Sequence, residues 1–231
     1  MKKKILFVFS LVLLFNTAVF AQRVDKLRYL PTFDKHRVHF GFYLGVNQKS
    51  LKLDYKKPNI FIGVKNETGF NIGLVGDLRI FNNLNVRLEP GISHNVKTLY
   101  FTNILTARDS VRDISSTYLH IPLLLKFSAN RINNVRPYLL AGVSYDFNFS
   151  SNQDSGEDNS QRVFRMTKNN FMYEVGFGVD MYFFFFKFSP SIRGVFAINN
   201  ELVRDVDPNS PWTGPINYLG TRGIFLNLSF E

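Results

Sequence analysis

Eight stretches of this chain alternate, residue by residue, between an apolar side chain and a small, polar or charged one. A period of two is the pattern of a strand whose faces meet different surroundings. "RVHFGFYLGVNQ" sets Val38, Phe40, Phe42, Leu44 and Val46 against His39, Gly41, Tyr43, Gly45 and Asn47. "TGFNIGLVGDLRI" sets Phe70, Ile72, Leu74, Leu78 and Ile80 against Asn71, Gly73, Asp77 and Arg79. "LNVRLEPGISHNV" sets Val86, Leu88 and Ile92 against Arg87, Glu89, Gly91 and Ser93. The pattern returns from Leu119 to Phe127, Leu139 to Phe147, Phe171 to Met181, Phe184 to Phe196 and Ile224 to Phe230. Almost no helical periodicity competes with it.

The connections alternate as well. Long gaps lie at about 49–67, 98–115, 150–169 and 199–217. The short connections are "FNN" near Asn82, "ANRINNV" near Asn133, and the four consecutive phenylalanines Phe183–Phe186. Long loops at one end and tight turns at the other predict an all-β fold, an eight-stranded antiparallel up-and-down transmembrane β-barrel.

Alternation does not say which face is buried, and a soluble lipocalin-like barrel is the competing arrangement. Three features favour apolar-outward. The strands run roughly 11 to 14 residues, near the length of a tilted membrane strand. Gly41, Gly45, Gly73, Gly91, Gly142, Gly176 and Gly178 share the charged face, where a narrow barrel converges. The sequence closes on "NLSFE", with Phe230 on the apolar face, similar to the terminal signal that barrel-insertion machinery reads.

The inward face then carries Asp77, Glu89, Asp146, Glu174 and Asp180 against Arg79, Arg87, Lys126, Lys187 and Arg193. Unpaired charges in a water-poor lumen are costly, so these ten predict a cross-linked ionic plug. Its expected role is packing rather than a proton or ligand path. Asp180 and Lys187 fall on the same face seven residues apart, so the parity flips once between them. A tight turn around Phe183 and Phe184 does this. Phe183, Phe184, Phe186 and Phe188 are then expected to form an aromatic girdle at the periplasmic edge.

The opening "MKKKILFVFSLVLLFNTAVFAQ" reads as a secretory signal peptide over residues 1–21, cleaved after Ala21. Its apolar run, Ile5 to Phe15, is too short to span comfortably, and no later segment offers a spanning helix. Residues 22–37 form a periplasmic arm that could dock on a partner or on the barrel's base, or merely clear the signal site. Residues 38–231 form the barrel. An even strand number puts both ends in the periplasm and the long loops outside the cell, so the expected location is the outer membrane, in contact with its lipid.

Chemistry is sparse. There is no cysteine, which excludes disulfides and thiol catalysis. The formal charge of +10 is scattered and accompanies no nucleic-acid motif, so no nucleic-acid partner is expected. None of the four histidines, His36, His39, His94 and His120, has metal-ligand spacing. No nucleophile elbow, phosphate loop or HExxH occurs. Ser93, His94 and Glu89 are the one grouping that suggests a lipid-modifying enzyme, and parity puts Ser93 and His94 on opposite faces. The expectation is no catalytic, cofactor or metal residue.

Two stretches carry a resemblance. "FDKHRVHFGFYLGVNQKSLKL", Phe33 to Leu53, resembles the opening of the PorT family. "YLHIPLLLKF", Tyr118 to Phe127, is similar to a strand widespread among small barrels of Bacteroidota, with His120 in place of the commoner acid. The resemblance implies a non-enzymatic component of, or accessory to, the type IX secretion system, acting through protein partners in that apparatus and in some species supporting gliding. It transfers no catalytic residue. A general structural or adhesive barrel acting through its long loops is the alternative.

Overall fold

The computed structural model describes residues 27–56, 61–102, 104, 106 and 108–231. The expected signal peptide and the first residues of the arm lie outside them. The strands are β1 (Val38–Tyr55), β2 (Ile62–Asn66), β3 (Gly69–Phe81), β4 (Leu84–Leu88), β5 (Gly91–Phe101), β6 (Val111–Ser128), β7 (Val135–Asn148), β8 (Asn169–Tyr182), β9 (Lys187–Ala197) and β10 (Ile216–Phe230). Neighbouring strands pair antiparallel, and β1 closes the ring on β10 from Phe42↔Phe230 to Tyr55↔Ile216.

Ten strands make an eight-membered ring because two of its members are broken. β4 and β5 continue one another across Glu89–Pro90. The register is unbroken there: Leu88 faces Leu123 and Gly91 faces His120. Pro90 has no N–H to give, yet its carbonyl still accepts from Leu74 at 2.9 Å. β2 and β3 are separated at Glu67–Thr68 by a bulge. Phe70 pairs with His94 but Asn66 with Lys97, a slip of one residue that swaps the faces of β2.

The faces are inverted relative to a water-soluble protein. Phe42, Leu74, Leu125, Leu139, Phe177 and Ile224 stand exposed on the outer wall. Asn47, Asp77, Arg87, Asp146, Glu174 and Arg193 are buried inside. With lipid outside, this order puts each face in its preferred solvent.

Towards the loop end the order reverses. Outward residues of β1 read Phe42, Leu44, Val46, then Gln48, Ser50, Lys52 and Asp54. Its inward residues read Tyr43, Gly45, Asn47, Lys49, then Leu51, Leu53 and Tyr55. The inward side of β5 likewise passes from Ser93, Asn95 and Lys97 to Leu99 and Phe101. Leu51, Ile62, Leu99, Phe101, Ile114, Phe164, Met166, Ile216 and Leu219 form one buried apolar cluster there. This part of the barrel is built like a soluble sandwich, dry within and polar without.

That reversal corrects two expected gaps. Most of 49–67 and half of 98–115 is strand, since β1 runs to Tyr55, β2 lies within the first gap, β5 runs to Phe101 and β6 starts at Val111. A rule that reads apolar as outward loses these segments where lipid gives way to water and a bulge flips the parity. The other two long connections are loops, residues 149–168 and 198–215.

Two inward tyrosines lie flat against glycines on the next strand. A Cβ at Gly73 would sit 2.6 Å from the Tyr43 ring, and one at Gly178 would sit 2.4 Å from the Tyr138 ring. Gly178→Val should cost about 1–3 kcal/mol through overpacking, whereas Gly156→Ala, in open space, should be neutral. Urea unfolding of the protein in lipid vesicles measures both.

Candidate functional site

Among the described residues, the lumen is the place where many charged side chains converge. Asp77 on β3 faces Arg87 on β4 across the ladder. The Arg87 guanidinium lies 3.4 Å from Asp77 and 2.7 Å from Glu231, and its Nε donates to Glu89. Arg193 lies 2.9 Å from Glu89 and 3.3 Å from Glu174. His120 stands between Glu174, at 3.1 Å, and Asp146. Lys49 pairs with Asp146 at 3.1 Å, with its ammonium 4.0 Å over the Tyr118 ring. Nearer the turns, Lys126 donates to both oxygens of Asp180 at 2.8 Å and lies 3.9 Å from Asp77. Lys187 lies 2.7 Å from Glu231.

These contacts join into one network. Its carboxylates are Asp77, Glu89, Asp146, Glu174, Asp180 and Glu231, six in all; its lysines and arginines are Lys49, Arg87, Lys126, Lys187 and Arg193, five in all. A protonated His120 makes the count six to six. Beside the ions, Asn47 donates to Phe70 O at 2.9 Å and reaches Asn71 and Ser93, and Asn71 donates to Asn227. The apolar cluster follows. Ions and amides interleave along the lumen, with hydrocarbon towards the loops, and side chains fill the interior of so narrow a barrel.

Nine of the ten residues expected in the plug lie in this network. Arg79 does not. Near the end of β3 its guanidinium leaves the lumen and donates to the carbonyls of Asp34 and Lys35, the latter at 3.0 Å. Three members were absent from the expected set. Lys49 lay in a stretch assigned to a loop, although the parity of Tyr43, Gly45 and Asn47 runs on to it. Glu231 follows the last strand and keeps its ladder, exchanging bonds with Lys187 at 2.8 and 3.0 Å. His120 has the inward parity, but its partners Asp146 and Glu174 lie on other strands, and no local spacing marks them.

The turn-end mouth is closed by residues of the arm. Phe33–Lys35 form a 3-10 turn. Asp34 accepts from Tyr182 Oη at 2.6 Å and lies 3.3 Å from Arg131 and 3.4 Å from Arg136. Phe33 stacks on the His39 ring at 4.2 Å, and His39 Nε2 meets Phe33 O at 2.9 Å. The recess beneath, bounded by Asp34, Arg136, Lys126 and Lys187, has a volume of about 10 Å³, room for no more than one water.

Beside the mouth, Phe183 N–H donates to Phe186 O at 2.9 Å and closes the β8–β9 turn. Phe183 and Phe186 stack at 5.1 Å, and Phe184 meets Tyr29 of the arm at 6.0 Å. Phe188 is half-buried on the outer wall, 5.1 Å from Phe230. Phe185, left out of the expected girdle, is 84% exposed at the tip of the turn.

At the opposite end the two long loops are knitted together. Asp205 accepts from Asn159 Nδ2 and Thr213 Oγ1, both at 2.9 Å, and Asp158 accepts from Ser160 N at 2.9 Å and Val206 N at 3.1 Å. The Ser160 hydroxyl and these amide donors hold the Asp158 carboxyl below its usual value. A depressed carboxylate stabilises the fold above its unfolded-state pKa and loses that contribution as pH falls through the folded one. Hydrogen-exchange protection of Ser160 and Val206 should therefore fall on acidification below the ordinary carboxylate range, and Asp158→Asn should remove that dependence.

The residues of the one enzyme-like grouping are kept apart. Ser93 is buried in the lumen beside Asn47, while His94 lies on the outer wall against Phe70 and Thr117. Glu89 belongs to the ionic network. Among the described residues no cluster could hold a metal ion.

Residues 20–203 match the family model described as "Outer membrane protein beta-barrel domain". The chain belongs to that family. Its location is the outer membrane, where the apolar wall contacts lipid. The structure is similar to OprG of Pseudomonas aeruginosa, with 14% identity, a TM-score of 0.50, and coverage of 90% of this chain and 98% of that one. Neisserial surface protein A follows at 11% identity and a TM-score of 0.47, over 84% of this chain and 98% of that one. At these identities the OprG likeness speaks for the fold alone. No curated protein matches the chain.

Proposed function

We propose that this barrel is a non-enzymatic support of type IX secretion that works through protein contacts in that apparatus rather than by passing cargo. The observation that carries this reading is the PorT-like opening, Phe33 to Leu53, which spans the cap turn and the first strand. The filled lumen supports the second half of it, since a folded cargo needs a conduit far wider than eight strands enclose. The outer wall is committed to lipid, which leaves the two ends for partners. β1 starts and β10 finishes at the turn end, so in this reading that end faces the periplasm and the loops face outward.

Deleting the gene and following known type IX cargo is the test. Loss of extracellular cargo, restored by the intact gene, is expected; unchanged secretion removes the proposal. An adhesive role through the loops is the second reading, favoured by the bonded assembly around Asp158 and Asp205. Shortening 149–168 and 198–215 separates the two. Secretion should survive the trimmed loops under the first reading, and any surface-binding activity should be lost under the second.

A further inference from the structure

The turn-end mouth presents a carboxylate receptor that is organised without the residue filling it. Arg131 Nε donates to Asn133 O at 2.8 Å, Nη2 donates to Asn134 Oδ1 at 3.2 Å, and the guanidinium lies 3.6 Å from the centre of the Tyr182 ring. Arg136 donates to Ala129 O at 2.8 Å and to Asn82 O at 2.6 Å. Both guanidinia are thus held by the ends of barrel strands and their turns. Their side chains are 3% and 11% exposed, so two like charges are buried together around one carboxylate.

The occupant comes from a segment outside the strand ladder. Among residues 27–37 Asp34 is the one acid, while Arg28, Lys35, His36 and Arg37 are exposed. The segment from Leu27 to Lys35 makes no strand pairing with the barrel; it is attached by the Asp34 fork, by carbonyl contacts to Arg79 and Arg131, by Tyr29 and Leu27 to Asn134, by Phe33 against His39, Tyr182 and Lys187, and by Tyr29 against Phe184. A cationic fork held by the barrel, and an aspartate on a segment held by side-chain contacts rather than by a strand ladder, are the two halves of an exchangeable contact.

We propose that this mouth is a docking site for an extended, aspartate-bearing segment of a second polypeptide, which takes the Arg131–Arg136–Tyr182 fork by displacing the arm. The arm's high local concentration sets the threshold that a partner must exceed. Its departure opens the recess above Lys126 and Asp180 to solvent.

The absence of cysteine allows a direct test on the full chain. Ser128 lines the recess and is 1% exposed, so Ser128→Cys reports its opening to a small water-soluble maleimide. In detergent, Cys at 128 should label slowly with Asp34 present and about tenfold faster or more in the Asp34→Asn background, the effect of losing a charged hydrogen-bonded anchor. A synthetic peptide of residues 27–37 added to Asp34→Asn should restore protection, and the same peptide carrying Asn at 34 should not. Equal labelling with and without Asp34 would overturn the receptor assignment. Faster labelling that neither peptide slows would overturn the docking proposal and leave a cap that works only within its own chain.

Discussion

Arg87→Met should lower the unfolding free energy of the lipid-embedded barrel by about 3–5 kcal/mol. Arg87 is 1% exposed and touches Asp77, Glu89 and Glu231, so its removal strands three carboxylates around an apolar side chain. The cost comes more from the carboxylates left buried without a cation than from the attraction removed. Two comparisons isolate that cause. Lys126→Met should destabilise strongly, and adding Asp180→Asn should recover part of the loss, because the carboxylate that Lys126 grips at 2.8 Å is then neutral. Lys52→Met breaks an ion pair whose side chains are 59% and 51% exposed and should change stability by about 0–1 kcal/mol. Urea titration in vesicles, followed by gel mobility, gives all the values. An Arg87→Met barrel as stable as the parent would mean that the lumen is wet enough to solvate its ions, and the picture of a dry plug would be wrong.

The same physics explains what could be read from the chain beforehand. Within the lipid belt each strand separates two unlike solvents, so Phe42, Leu44 and Val46 alternate legibly with Tyr43, Gly45 and Asn47. The polarity of that alternation also placed most charged lumen residues, because a charge in the belt has only the interior to go to. Legibility fails where this logic stops. Arg79 and Lys126 share an inward parity, but Arg79 is near enough to the rim to turn to the arm's carbonyls. Lys49 follows the belt's parity one step past the point where the outer face turns polar. β2 is hidden by a bulge, which no composition marks. The cap depends on tertiary contacts between Asp34 and residues 97, 102 and 148 positions away, Arg131, Arg136 and Tyr182, and a local pattern carries no trace of such pairing.

The reversal of faces along β1 can be measured one lysine at a time. Leu44→Lys places an ammonium on the wall inside the apolar belt and should cost about 2–4 kcal/mol. Ser50→Lys points the same way, three positions along the same face, but lies beside Lys52 and opposite Arg222, where the outer surface is already polar. Its cost should be about 0–1 kcal/mol. The inner face should behave in the opposite order. Lys49 is native and buried against Asp146, whereas Leu51→Lys puts a charge into the cluster of Ile62, Leu99, Phe101 and Leu219, where the Glu201 carboxylate is already bonded to Thr221, the residue facing Leu51. That substitution should destabilise the loop-end core at least as much as Leu44→Lys destabilises the wall. Two adjacent positions that face opposite ways, Ser50 and Leu51, thus have opposite tolerances, and so do Leu44 and Ser50 on a single face. Equal costs for Leu44→Lys and Ser50→Lys would place the edge of the membrane beyond Lys52. The soluble-like half of the barrel would then lie within lipid, where its polar outer face could not be held.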